Sequence, residues 1–346
     1  MDVISRLEEK DEKLKGEIDL KNLFSKGAEL PWPKLKQNGF LSYKHCKSLW
    51  TLGARTTMNA EQSMGLIEDI ITCANVYNYS KKNNIQKIQE DFGKYENKSI
   101  YIQAYAELAT YLRYLMIHYD NKITDESLKE ISVPLINYLK SSLNSYDEIC
   151  IINYSYDVWL ERLLKLNNLE FNVEGFEENN DRKIKIIKPH GSISFSFKSK
   201  AGQGRPFVVR TLDLDEVSQE CSEFDVNYDF KDDYPIVTPI IPPAGDSNRT
   251  DVGWVKNLRE IINDKVTNSG SKDKLIIFGL SYWHVDRAEI DDIITRIDPL
   301  VQVVLINPNP PTSLDAVLTS VFQNYIHYTK SEHLENSYLK EVALQN

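Results

Sequence analysis

Residues 148–164 read EICIINYSYDVWLERLL, and the fold turns on how this stretch is parsed. Ile149, Cys150, Ile151 and Ile152 form a short apolar run rich in β-branched side chains. Asn153, Tyr154, Ser155, Tyr156 and Asp157 then make the chain polar and aromatic, and Leu160, Leu163 and Leu164 return at helical spacing. A short apolar run closed by polar residues and followed by a period near 3.6 predicts a buried strand feeding a helix. In a parallel α/β sheet, ligands sit at the carboxyl ends of the strands. The polar residues at 153–157 are therefore candidates for chemistry. The plainer alternative is that they only start the helix.

Downstream, the same alternation repeats. Residues 171–173 predict a short strand, and KIKIIKPHGSISFSF (183–197) predicts strand, Pro-His-Gly turn, strand. PIVTPIIPP (235–243) predicts a further apolar strand, and 250–267 a helix around Trp254, Leu258, Ile261 and Ile262. Residues 274–278 and 301–306 predict buried strands, separated by a helix that runs to 297. A final helix and tail follow, while the acidic stretch 210–234 takes no assignment. Apolar strands alternating with helices predict a parallel sheet covered on both faces.

Upstream the pattern is helical. Tyr101, Tyr105, Leu108, Leu112 and Leu115 give a helix over 99–119 with one apolar face. Leu66, Ile67, Ile70 and Ile71 mark another within 43–79, followed by a polar loop at 80–84 and a short helix at 85–92. Asp125 is the expected N-cap of a helix over 126–143. Residues 1–26 are charged and weakly periodic, predicting a helix or arm with few core contacts, and Gly27, Pro31 and Pro33 break the chain after it. The expected fold is α/β, a Rossmann-like parallel sheet with a helical lobe inserted in the N-terminal half. Its parts are an N-terminal arm and loop at 1–40, the lobe at 41–145, the sheet domain at 146–330 and a tail at 331–346.

Composition excludes several classes. The 346 residues carry a formal charge of -10, which argues against a dedicated nucleic-acid binder needing a basic face. Cys46, Cys73, Cys150 and Cys221 form no C-x-x-C pair, so neither a zinc ribbon nor a disulfide framework is expected, as suits a reducing cytoplasm. There is no apolar leader and no run long enough to span a bilayer, so a soluble cytoplasmic protein without a membrane partner is expected. His45, His118, His327 and His333 are scattered, H-E-x-x-H is missing, and no metal is expected.

Four loops fall at predicted strand ends: 155–157, His190-Gly191-Ser192, 279–286 and 307–309. Such ends converge on one crevice. The Gly279-Leu280-Ser281 turn lets backbone amides approach a phosphate, and Asn307 suits a ribose or base edge. His190 is a natural general base or ribose-hydroxyl partner, set against the alternative of a satisfied structural histidine. Asp286 either pairs with His284 or caps the following helix.

The order of these motifs carries a resemblance. N-Y-S-Y-D-x-x-L-E, K-P-H-G-S, P-I-I-P-P, F-G-L-S-x-x-x-x-D and I-N-P-N succeed one another across 149–309. This resembles the sirtuin-like domains of prokaryotic antiviral defence proteins, which read F-N-Y-D-x-x-L-E, L-H-G-S, G-x-S-x-x-D and I-N-P. Each motif alone is weak, and their order makes the match more specific. The resemblance implies NAD as substrate or ligand and cleavage of its nicotinamide–ribose bond. It implies catalytic roles for His190, Asp157 and either Ser155 or Asn153, and NAD contacts from Ser25, Gly191, Gly279, Ser281, Asp286 and Asn307. It also implies a homo-oligomer or a subunit of a defence complex. Two departures stand out. Ser155 occupies the place of the family's Asn, with Asn153 two residues earlier on the same strand face. The family's opening G-A-G-x-S is matched only by SKGAELPWPKL from Ser25, with no glycine over 19–26 to cradle a phosphate. The expected alternatives are thus an NAD glycohydrolase and an inactive sirtuin-like subunit serving as scaffold, nucleotide sensor or partner-binding module.

Overall fold

The computed structural model describes residues 2–33, 38–82, 99–177, 181–198, 220–230, 238–242, 253–280, 282 and 287–334. The N-terminal half is helical: α1 (Asp2–Lys10), α2 (Lys47–Thr51), α3 (Ala60–Lys82), α4 (Ser99–Asp120), α5 (Asp125–Glu130) and α6 (Pro134–Ser142). The expected few-contact arm is overturned. Ile4, Leu7, Leu14, Ile18, Leu23 and Phe24 are all buried in the main core, because the arm's sparse apolar residues fall on one side of a strongly charged segment.

Helix α4 is the organising helix of the lobe, and it is more deeply buried than its one-faced pattern implies. Ala104, Leu108, Tyr111, Leu112, Leu115 and Tyr119 are fully buried. Tyr111 donates its hydroxyl to the carbonyl of Leu23 at 2.7 Å. Arg113, only 1% exposed, donates to the carbonyls of Phe195 at 3.1 Å and Ser192 at 3.4 Å. The two residues point about 200° apart around the helix, so α4 lies between the N-terminal segment and the chain just after His190.

The expected helix over 126–143 is two helices. Pro134 cannot continue a preceding helix and holds the residue before it extended, here Val133 at φ -112 and ψ 107. The N-cap is Thr124, whose side chain accepts from the Ser127 amide, and Asp125 becomes the first helical residue. Residues 80–82 of the polar loop expected at 80–84 are helical, because α3 runs to Lys82, while the rest of that loop and the helix expected at 85–92 lie outside the described residues.

The second half is the α/β part: β1 (Ile149–Ile152), α7 (Trp159–Leu166), β2 (Phe171–Val173), β3 (Ile184–Ile187), β4 (Phe195–Phe197), β5 (Phe224–Val226), α8 (Gly253–Thr267), β6 (Lys274–Phe278), α9 (Arg287–Arg296), β7 (Gln302–Ile306), α10 (Thr312–Val321) and β8 (Asn324–Tyr328). Two three-stranded sheets are wholly parallel, β1-β3-β2 and β6-β7-β8, while β4 and β5 form an antiparallel pair. This is a mixed α/β, Rossmann-like architecture. Strand β8, near the end of the expected sheet domain, was not anticipated. Of the strand expected at 235–243, the described residues 238–242 supply a single bridge, Ile240 to Gly191. Among the described residues no helix is long and apolar enough to cross a membrane.

Long-range contacts align the two parallel sheets. Lys265, near the end of α8, reaches Glu148 at the start of β1 with a separation of 2.5 Å. At the opposite ends, His190 following β3 meets Glu289 following β6 at 2.8 Å. The strands of both sheets therefore run the same way, and their carboxyl ends face one crevice.

Candidate functional site

The first wall of the crevice is the turn leaving β1. The Asn153 amide still donates to Ile187 at 2.8 Å, extending the ladder by one residue. Its side-chain oxygen then accepts from the Ser155 amide at 3.0 Å, closing a local turn. Asp157 is committed on both oxygens: Oδ1 accepts from the Trp159 amide at 3.0 Å, and Oδ2 accepts from the Ser155 hydroxyl. It thereby satisfies an otherwise orphaned donor at the start of α7.

The second wall is the turn after β3. Tyr156 ties the two walls together, its carbonyl accepting from the Ile193 amide at 3.0 Å and from the Ser192 hydroxyl at 3.4 Å. The ring of Tyr154 meets that of His190 edge-on, with centroids 4.9 Å apart. Gly191 has φ +89, and a Cβ there would lie 1.9 Å from the Pro239 carbonyl oxygen. The Ile241 amide donates to the His190 carbonyl at 2.9 Å. The glycine is thus demanded by a close backbone crossing, and that crossing fixes where His190 sits.

The imidazole of His190 is 3% exposed. Its Nε2 lies 2.8 Å from Glu289 Oε2, and Arg259 Nη2 lies 2.5 Å from the other carboxylate oxygen. Burial pushes the Glu289 carboxyl up, but the hydrogen bond and charge of His190, with the Arg259 guanidinium, outweigh it and hold the group at about 2. When Nε2 donates to this carboxylate, the neutral ring carries its lone pair on Nδ1. The result is an oriented imidazole backed by a carboxylate, itself oriented by an arginine. Such an arrangement can take a proton from a hydroxyl or a water.

A carboxyl that ionises more readily folded than unfolded adds stability above its unfolded value near 4.5. That contribution disappears as pH falls through about 2. The urea midpoint of the parent chain should therefore drop more steeply between these two pH values than that of Glu289→Gln. Parallel acid profiles for the two proteins would refute the assigned ion cluster.

On the far side, Gly279 leaves β6 with φ +64, and nothing lies within 4 Å of where its Cβ would be. Tyr282 follows at φ 48, a left-handed conformation few bulky residues adopt. Asn307 is fully employed in joining the ends of β6 and β7: its amide nitrogen donates to Leu280 at 2.8 Å and its side-chain oxygen accepts from the Asn309 amide at 2.9 Å.

Of the residues expected from sequence, Asn153, Ser155, Asp157, His190 and Gly191 come together, and Gly279 and Asn307 line the neighbouring strand ends. Ser281 and Asp286 lie outside the described residues. The Ser25 hydroxyl lies 2.9 Å from an Asp19 carboxylate oxygen and 2.8 Å from the Asn22 carbonyl oxygen, which share its one proton, and no hydrogen bond among the described residues joins it to the His190 loop. Glu289 and Arg259 were not anticipated. Each occupies an ordinary polar position of a helix, and no local signal separates Glu289 from Asp291 or Asp292. Among the described residues no cluster of His, Cys, Asp or Glu could hold a metal ion. In comparisons with known proteins, no family model and no curated protein matches this chain.

Proposed function

We propose that this chain is a sirtuin-like, NAD-directed protein of the antiviral defence type, acting on the nicotinamide–ribose bond at the carboxyl-end crevice. The observation that carries the proposal is the His190–Glu289–Arg259 chain, set against the turn that carries Asn153 and Ser155. In the proposed reaction the ribose–nicotinamide bond breaks with its electron pair passing to the nicotinamide nitrogen. A water oxygen then bonds to the ribose carbon and releases its proton. His190 polarises a ribose hydroxyl or accepts that proton, and Asn153 or Ser155 orients the water. Gly279 offers the open backbone a phosphate could approach. Association with further copies or with a defence complex belongs to the same proposal.

A second reading has its own support. Asp157 and Asn307 have their side chains engaged within the fold, and His190 is almost wholly buried. These features favour an inactive sirtuin-like subunit that serves as scaffold, nucleotide sensor or partner-binding module. One experiment separates the readings: NAD loss and nicotinamide release by the purified chain and by His190→Ala. Turnover that falls at least about a hundredfold in the variant, the size of a general acid–base contribution, supports the enzyme. No turnover with an NAD-induced rise in Tm supports the sensor, and neither effect leaves the scaffold.

A further inference from the structure

Within the turn at 153–157, Ser155 and Asp157 engage each other, hydroxyl to carboxylate. The side chain of Tyr156, between them, reaches a third segment: its hydroxyl donates to the carbonyl of Ile241. Ile241 is buried, and its amide donates to the His190 carbonyl at 2.9 Å. Ile241 is thus gripped through both of its peptide groups, one by Tyr156 and the other by His190. Among the described residues no other side chain hydrogen-bonds to residues 239–242.

These contacts close a ring around His190. The backbone carbonyl of Tyr156 accepts from the Ile193 amide at 3.0 Å, so the same residue also holds the chain just after His190. Ile240 bridges Gly191, with the Pro239 carbonyl oxygen filling the space beside that glycine. His190 therefore lies between two points that Tyr156 fixes, Ile193 through its backbone and Ile241 through its hydroxyl. The imidazole must meet a carboxylate 99 residues away, and it does so at 2.8 Å. A phenol ring is a rigid body with a polar tip, so the hydroxyl sets the separation between the turn and Ile241. Such control matters to chemistry, because a displacement of about 1 Å in a reacting group can cost about a hundredfold in rate.

We propose that Tyr156 is a positioning residue for His190: its hydroxyl, acting through Ile241, holds the imidazole in register with Glu289. The effect on turnover rests on the NAD-directed reading, whereas the positioning itself does not. The role links N-Y-S-Y-D, K-P-H-G-S and P-I-I-P-P through one hydroxyl. Tyr156→Phe keeps the ring and the backbone contact to Ile193 and removes only the donor to Ile241.

The test compares the full chain with Tyr156→Phe by NMR and by NAD cleavage. In the variant the Ile241 amide should exchange about five- to tenfold faster, the weight of one lost hydrogen bond, while the Ile193 amide keeps its protection. The Nε2–H proton signal of His190, assigned with His190→Ala and sharp in the parent, should broaden or vanish as the contact with Glu289 loosens. For NAD, kcat should fall about tenfold with KM within about twofold, the pattern of a group misplaced in the transition state. The proposal is overturned if Ile241 exchange and the His190 signal match the parent. It is also overturned if the Ile193 amide loosens equally, which would make the hydroxyl a general prop of the turn, or if kcat is unchanged in a chain that cleaves NAD. A parent that leaves NAD intact sinks the NAD reading instead, and the Ile241 and His190 signals still decide whether Tyr156 positions the imidazole.

Discussion

Replacing Lys188 with alanine is expected to destabilise the fold by about 3–5 kcal/mol, the range for breaking a buried ion pair from one side. Both side chains of the Lys188–Glu161 pair are 0% exposed, with Nζ 2.9 Å from Oε1. Lys188 also donates to the backbone carbonyl of Asp157. Burial pushes the Glu161 carboxyl up, with Lys188 acting in opposition. Without the ammonium, the carboxylate has no counter-charge in an apolar surrounding and either takes a proton or draws water inward. Glu161 ends the D-x-x-L-E motif and Lys188 opens K-P-H-G-S, so the pair joins the two turns of the candidate site from beneath. Urea unfolding would measure the loss. The double replacement Lys188→Met with Glu161→Leu should recover most of it, since two apolar groups of similar volume leave no buried charge behind. A loss below about 1 kcal/mol in Lys188→Ala would mean that the pair is hydrated in solution and carries little of the fold.

The strands that were legible in the sequence are short runs, apolar throughout or alternating with polar residues, closed by turn residues. Ile149–Ile152 and Leu275–Phe278 are of the first kind, Phe171–Val173 and Phe195–Phe197 of the second, and all lie where the pattern puts them. β8 was not legible because NYIHY mixes polar and apolar residues and stays half-exposed at a sheet edge. The N-terminal arm was misjudged for a related reason. Its high charge masks a few apolar residues that the helical lobe buries. His190 stood out because a histidine between proline and glycine after a strand is locally unusual. Glu289 lies 99 residues away and acquires meaning only through the sheet that brings α9 to it. Periodicity thus locates elements, while the site depends on which strands become neighbours.

Gly191→Ala is expected to cost at least about 2 kcal/mol, combining a non-glycine residue held at positive φ with overpacking against a fixed backbone. The clash is with the Pro239 carbonyl oxygen, at 1.9 Å from the new Cβ, and the adjacent Pro239 carbonyl carbon lies 2.8 Å away. A peptide group cannot rotate aside as a flexible side chain would, and here it is tied by the Gly191–Ile240 bridge and by the Ile241 amide bonded to the His190 carbonyl. Gly279→Ala supplies the internal comparison. Its φ of +64 is also unfavourable, but nothing lies within 4 Å of its Cβ, so the loss should stay near ~1 kcal/mol. Thermal unfolding of the two variants separates steric crossing from backbone preference. Equal losses would show that residues 239–241 can move away from the His190 turn. If Gly191→Ala folds at all, the same displacement pulls His190 from its 2.8 Å contact with Glu289. Under the proposed chemistry, NAD cleavage should then fall further than the stability loss alone accounts for, measured well below the variant's Tm. Activity that survives in a folded Gly191→Ala would remove His190 from the reaction.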